Sequence, residues 1–267
     1  MRLTIEFQPV RGEAVLDGEF PRHFQAALYG ALDPVLAEHI HNIGYPVGGR
    51  ALKMIVFSDV ALGQAPTREA NGLRFKGPAS IVVASPMSEI IHALRRSLLR
   101  SGRFRAGRQW FEVKGITVKE PKVSAGRIEV RSLSPIVAYS TLLRPDGRKY
   151  TCYFQPGEAE FSRLVAQNLE RKYFVVHGRE PRAGLTLEVL RVGRMVIRKF
   201  KGTVVKGWHC VLGLEGPRDL LQLALDAGLG SKNSQGWGCV DLLSPAACDS
   251  LVMGTTSDRA FHGAFKL

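Results

Sequence analysis

Apolar and polar residues alternate at the start of the chain. Leu3, Ile5 and Phe7 fall two apart with polar residues between them, the pattern of a strand with one buried face. From Pro21 to Leu32 the period becomes four, and Phe24, Leu28 and Leu32 form a helix stripe. Asp33-Pro34 reads as an N-cap followed by proline at the first helical position, so a break is expected there. A second short helix from Pro34 to His41 would carry Val35, Leu36 and Ile40. Gly44, Pro46, Gly48 and Gly49 predict a loop. Lys53 to Phe57 and Ser80 to Ala84 are apolar enough for two central strands. Pro86 to Arg100 is an amphipathic helix with Ile90, Ile91, Leu94, Leu98 and Leu99 inward, and Trp110 to Val118 returns as a strand. The predicted order is β-α-β-β-α-β.

That order recurs. Ile128 to Tyr139 reads as a strand, Pro145-Asp146-Gly147 as a turn, and Lys149 to Phe154 as a short return. Glu158 to Tyr173 is helical, with Phe161, Leu164, Val165 and Leu169 at helical spacing. Leu185 to Val192 and Thr203 to Leu214 are strands, Pro217 to Ala227 a helix, and Trp237 to Leu243 a closing strand. The simplest account is an α+β chain of two tandem ferredoxin-like (RRM-like) βαββαβ domains, residues 1–124 and 125–244, with a tail at 245–267. Such a unit has helices on one sheet face and leaves the other open, a common platform for single-stranded RNA.

Charge points the same way. The 267 residues hold 37 Lys and Arg against 24 Asp and Glu, a formal +13 with a pI near 9.9, which favours a polyanionic partner. Nucleic acid comes before membrane, because no run of spanning length or basic amphipathic anchor is visible. Arg95, Arg96, Arg100, Arg103, Arg105 and Arg108 crowd the end of one helix, and Arg191, Arg194, Arg198, Lys199, Lys201 and Lys206 crowd a hairpin. Solvated element ends explain either cluster alone; both together favour phosphate contacts. Cys152, Cys210, Cys239 and Cys248 are widely spaced without a CxxC, as in reduced thiols of a cytoplasmic protein, and the opening residues form a strand and not a signal peptide.

One stretch stands apart. Gly228-Leu229-Gly230 and Gly236-Trp237-Gly238 flank five polar residues, Ser231, Lys232, Asn233, Ser234 and Gln235. Glycines let amides converge on an anion, and Lys232 adds a mobile charge. The loop runs from helix to strand, the reverse of a P-loop or dinucleotide fingerprint, so a larger polyanion is the better fit than a small nucleotide.

No metal site or cofactor is expected: His39 and His41 are two apart, which at about 100° per residue points them in different directions on a helix, and no clustered carboxylates accompany them. No G-x-S-x-G elbow appears either. Tyr29, His41 and Lys53 surround the break between the first two helices. A histidine at a helix end is commonly a C-cap. If the three side chains converge on an RNA phosphodiester, however, they suffice for cleavage: an imidazole moves the proton, an ammonium stabilises the phosphorane, and a phenol holds or protonates an oxygen.

The loop Gly228 to Cys239, the two tandem units, Tyr29, the segment Leu36-Ala37-Glu38-His39-Ile40-His41 and the stretch from Lys53 to Ser58 together resemble the CRISPR-associated repeat-RNA endoribonucleases of the RAMP superfamily, the Cas-six family. The resemblance runs from Met1 to about Leu243. It implies a nuclease that cuts CRISPR precursor transcripts within repeats, without metal, by 2′-hydroxyl attack, leaving a 2′,3′-cyclic phosphate and a 5′-hydroxyl on the mature guide RNA. It implies catalysis by Tyr29, His41 and Lys53, with His39 competing for the histidine role. RNA contacts fall to Gly228, Gly230, Ser231, Lys232, Asn233, Ser234, Gly236 and Gly238, with Arg198, Lys199 and Lys201 of the hairpin. Repeat RNA is the implied partner, other effector subunits are further candidates, and a monomer or homodimer is expected. Two rival readings are a non-catalytic RNA-binding RAMP subunit and a general RNA chaperone.

Overall fold

A computed structural model describes residues 1–200 and 202–243; Lys201, Cys248 and the segment expected as a tail lie outside the described residues. The first half is built from β1 (Arg2–Pro9), α1 (Phe20–Gly30), α2 (Pro34–Glu38), β2 (Val56–Phe57), β3 (Ala79–Ala84), α3 (Ser88–Ser101) and β4 (Gln109–Lys119). Its antiparallel sheet runs β4-β1-β3-β2, with Arg103–Ala106 added outside β4 and Ala61–Leu62 also pairing with β3. The second half contains β5 (Arg127–Ser132), α4 (Ala159–His177), β6 (Thr186–Phe200), β7 (Thr203–Glu215), α5 (Arg218–Ala227) and β8 (Val240–Leu242), in the antiparallel order β6-β7-β5-β8. Both sheets have the same connectivity, with the first strand of each unit between the third and fourth. The fold is the tandem ferredoxin-like arrangement expected from the repeated order.

Each unit has its own core. Leu3, Ile5 and Phe7 of β1 lie under Phe24 and Leu28 of α1 and Ile90, Ile91, Leu94 and Leu98 of α3. Leu99, expected inward, is 54% exposed: the stripe at 90, 91, 94 and 98 already fills the sheet-facing side, and residue 99 is rotated about 100° beyond it. In the second core Val130, Leu212 and Leu214 meet Phe161, Val165 and Leu169 of α4 and the apolar face of α5.

Several elements depart from the pattern. The single strand expected from Ile128 to Tyr139 is two, β5 and Ala138–Leu143, which pairs with Lys149–Phe154 in a separate hairpin. Between them the backbone leaves the sheet: Leu133 N and Ser134 N both donate to Cys239 O, at 2.7 and 3.2 Å. The expected loop around Gly48 is a small hairpin, Tyr45–Val47 with Arg50–Leu52. Glu13–Leu16, Thr67–Glu69 and Gly72–Lys76 form a three-stranded sheet that the periodicity did not show.

The strand expected from Lys53 to Phe57 is reduced to Val56–Phe57. Met54 takes φ 49° and its side chain packs in the second core, while Val56 and Phe57 pair with β3 of the first sheet. A β-strand would send residues 54 and 56 to one face. The backbone breaks because these two residues serve different cores.

The two units are bonded to each other. Arg2 donates to Asp241 at 2.7 Å and to Leu225 O at 2.9 Å, and Ser134 Oγ donates to Phe57 O at 3.1 Å. Arg198, expected among the phosphate-binding residues, is 8% exposed, and its Nη2 donates to both carboxylate oxygens of Asp59 at 2.7 and 2.8 Å. Its guanidinium also lies over Trp237, at 4.8 Å, and Phe20, at 5.3 Å. The arginine belongs to the junction and not to a surface, because a carboxylate and two rings from both halves enclose it. Arg198→Ala is therefore expected to destabilise the protein by about 3 kcal/mol, since Asp59 stays behind in a mostly buried place. The urea midpoint of the purified variant reads this directly; an unchanged midpoint contradicts it.

Candidate active site

The break after α1 is the first positioning device. Asp33 accepts from Val35 N at 2.9 Å and Pro34 begins α2, as the local sequence requires. The α-helix stops at Glu38, earlier than expected, and His39–Ile43 form a π turn closed by a 2.6 Å bond from Gly44 N to His39 O. Such wider turns rotate side chains off the α-helical register and are frequent at functional sites. Ile40 is buried and anchors the turn, leaving His41 exposed.

This turn separates the two histidines. The His41 ring stands edge-on to Tyr29 of α1, 5.7 Å between centroids at 88°, whereas His39 packs against Tyr45, 5.5 Å away. His41 Nδ1 is 2.7 Å from Asn42 Oδ1. Lys53 reaches back so that Nζ donates to His41 O at 2.7 Å. It crosses directly over Gly44, where a Cβ would sit 3.2 Å from Nζ and 2.6 Å from Leu52 O. Gly44, at φ 65°, serves both the end of the turn and this close passage. Of the four residues singled out near the break, Tyr29, His41 and Lys53 share one place and His39 faces away.

Electrostatics follow from partial burial. Desolvation pushes the Tyr29 hydroxyl up to about 12, against a smaller opposing effect of its hydrogen bond with Ser234. The phenol is neutral across the physiological range. Burial lowers Lys53 from the ordinary lysine value.

The Ser234 contact brings the glycine loop to Tyr29. The loop is more deeply folded in than an anion cradle would be. Leu229 N donates to Gly238 O, Ser231 N to Val137 O, Gly236 N to Asn233 O and Gly238 N to Pro135 O, at 2.8 to 3.1 Å. Gly228, Gly230, Gly236 and Gly238 are buried, all at positive φ. A Cβ on Gly236 would lie 2.6 Å from Phe57, and one on Gly228 2.9 Å from Val56. These glycines let the loop pack on β2 of the other unit. Lys232, at φ 63°, remains partly exposed with Nζ 5.2 Å from the Tyr139 ring centre, and Ser231 is also at the rim. Lys199 is exposed on the β6–β7 hairpin.

Sequence reasoning missed Asp59, which holds the junction through Arg198, and Lys172, which holds the glycine loop. Lys172 carried a signal: with Phe161, Val165, Asn168 and Leu169 it falls on the buried stripe of α4, where a lysine is out of character. Asp59 carried none, since its partner lies 139 residues away.

Similarity to known proteins decides what the arrangement belongs to. A CRISPR-associated endoribonuclease Cas6 from Pyrococcus furiosus is 31% identical over 228 residues, covering 82% of this chain and 80% of the relative. The chain belongs to the Cas6 family of CRISPR-associated endoribonucleases. A family profile described as CRISPR associated protein Cas6, C-terminal, matches residues 118–242. A second relative, CRISPR-associated endoribonuclease Cas6 1 from Methanocaldococcus jannaschii, is 24% identical over 245 residues, 90% of this chain and 92% of that one. A solved structure described as an RAMP protein binding different RNA substrates superposes with a TM-score of 0.78 at 19% identity, covering 91% of this chain and all of that one, and shares its fold. Among the described residues no three His, Cys, Asp or Glu are grouped to hold a metal ion, and no helix is long and apolar enough to cross a membrane.

Proposed function

We propose that this Cas6 protein cleaves CRISPR precursor transcripts within their repeats, with the first unit supplying the chemistry and the glycine loop and hairpin of the second contacting RNA. The observation that carries the reading is the convergence of His41, Tyr29 and Lys53 at the π turn, within 5.7 Å between rings and 2.7 Å from ammonium to turn carbonyl. Those groups provide a metal-independent route. The His41 imidazole takes the proton of the 2′-hydroxyl, the 2′-oxygen attacks phosphorus, and the bond from phosphorus to the 5′-oxygen breaks. Tyr29, protonated at physiological pH and kept so well above it by burial, donates a proton to the departing 5′-oxygen. The Lys53 ammonium faces charge developing on the phosphoryl oxygens. The products are a 2′,3′-cyclic phosphate and a 5′-hydroxyl.

For RNA binding, Lys232, Ser231 and Lys199 are the contacts that the local geometry favours, because the loop amides of Leu229, Ser231, Gly236 and Gly238 already have acceptors within the chain. The test is cleavage of the host's repeat RNA in EDTA, beside the same RNA with a 2′-deoxy substitution at the cut. One cut ending in a cyclic phosphate, abolished by the substitution, is expected. Tight binding with both RNAs intact would instead assign a non-cleaving repeat binder.

A further inference from the structure

Lys172, on α4, is 3% exposed, and every acceptor within its reach is neutral. Its Nζ donates to Asn233 Oδ1 at 2.7 Å, Gly228 O at 2.8 Å and Ala227 O at 3.2 Å, with Gly230 O at the edge of reach at 3.5 Å, and burial pushes the amine down to about 7. The main-chain acceptors belong to the entry arm of the glycine loop. Asn233 passes the constraint to the exit arm, donating from Nδ2 to both Leu229 O and Trp237 O at 3.0 Å. The next residue, Ser234, lies at the loop tip beside the Tyr29 hydroxyl, and the following glycine packs against Pro21 of the same helix α1. One buried amine thus ties together the two arms whose tip lies beside the phenol.

An apolar residue would fill the same space without the desolvation penalty that a buried ammonium carries, so packing alone does not account for a lysine here. A multidentate amine donor does what an apolar residue cannot: it draws convergent carbonyls to one point and specifies one loop conformation among the many open to a glycine-rich segment.

We infer that Lys172 is a positioning residue for RNA cleavage, holding the glycine loop in the shape that keeps Ser234 beside the Tyr29 phenol. The inference rests on the proposed catalytic role of Tyr29, and the test separates the two. Single-turnover cleavage of the host's repeat RNA at saturating protein is compared for Lys172→Met, Ser234→Ala, Tyr29→Phe and the two double variants with Lys172→Met, with Kd measured separately. Lys172→Met is expected to slow cleavage about tenfold with Kd nearly unchanged, and to add little in the Ser234→Ala or Tyr29→Phe background, because residues acting through one another are not additive. A Lys172→Met protein that cuts at the wild-type rate, or whose defect multiplies with that of Ser234→Ala, overturns the inference while a slow Tyr29→Phe keeps Tyr29 catalytic. A Tyr29→Phe protein at full rate overturns both. Should Lys172→Met fail to fold, Asn233→Ala removes the shortest contact from the loop side; the same non-additivity with Ser234→Ala is expected, and simple multiplication of the defects overturns the inference.

Discussion

His41→Ala is expected to slow repeat-RNA cleavage by about 10²–10⁴-fold while RNA affinity stays within a few-fold, the signature of a lost proton-transfer group. The magnitude is large because nothing beside His41 replaces it. Tyr29, its ring neighbour at 5.7 Å, has a hydroxyl raised to about 12 and does not accept a proton near neutrality. Lys53 is a donor held on the His41 carbonyl. Affinity should survive because the His41 side chain is one exposed imidazole, while the basic rim of the second unit is untouched. His39→Ala is the matched control. It loses only the packing against Tyr45 and should keep most of the rate. Single-turnover kinetics with ends mapped on both variants decide the matter, and a fast His41→Ala with a dead His39→Ala would reverse the assignment.

Gly238→Ala is expected to destabilise the protein by about 4 kcal/mol or more, lowering Tm by roughly 8–16 °C for a chain of this size. Gly238 sits at φ 76°, and an added Cβ would fall 1.9 Å from Leu229 O and 2.6 Å from Asn233 Nδ2. Those are the two atoms by which Asn233 ties the arms of the loop together. Backbone on one side and a bonded amide on the other leave no direction for relief. Gly147→Ala supplies the comparison: its φ is 78° but nothing lies within 4 Å, so only left-handed strain of about 1 kcal/mol applies. Thermal melts of the two variants separate strain from collision. Equal shifts would mean that the loop does not close on itself as described.

The elements of both units were legible because each buries one face against one core. Leu3, Ile5 and Phe7, the stripe of Phe24 and Leu28, and the stripe of Ile90, Ile91, Leu94 and Leu98 obey a single period, and period is a local property of sequence. The same rule explains where reading by period failed. Lys53 to Phe57 looks like a strand, yet Met54 and Val56 enter different cores, and only the tertiary fold sets that demand. The α-helix expected through His41 becomes a π turn, with Lys53 capping the turn carbonyl of His41 from 12 residues away.

The candidate site divides in the same way. Residue type and order within the sequence sufficed to single out Tyr29, His41, Lys53 and the double-glycine loop, and the charge excess sufficed to favour a polyanion. Sequence preferred His41 while keeping His39 as a competitor, and it counted Arg198 among the RNA contacts. Tertiary structure set one imidazole against Tyr29 and the other against Tyr45, and enclosed the guanidinium between Asp59, Phe20 and Trp237. It also turned the loop's glycines toward β2 and gave Lys172 the task of holding them. Hydrophobic periodicity reports which face of an element is dry. Which distant group meets a polar side chain depends on how elements pack within a unit and on how the two sheets are joined, and contacts 61 or 139 residues apart leave no periodic trace.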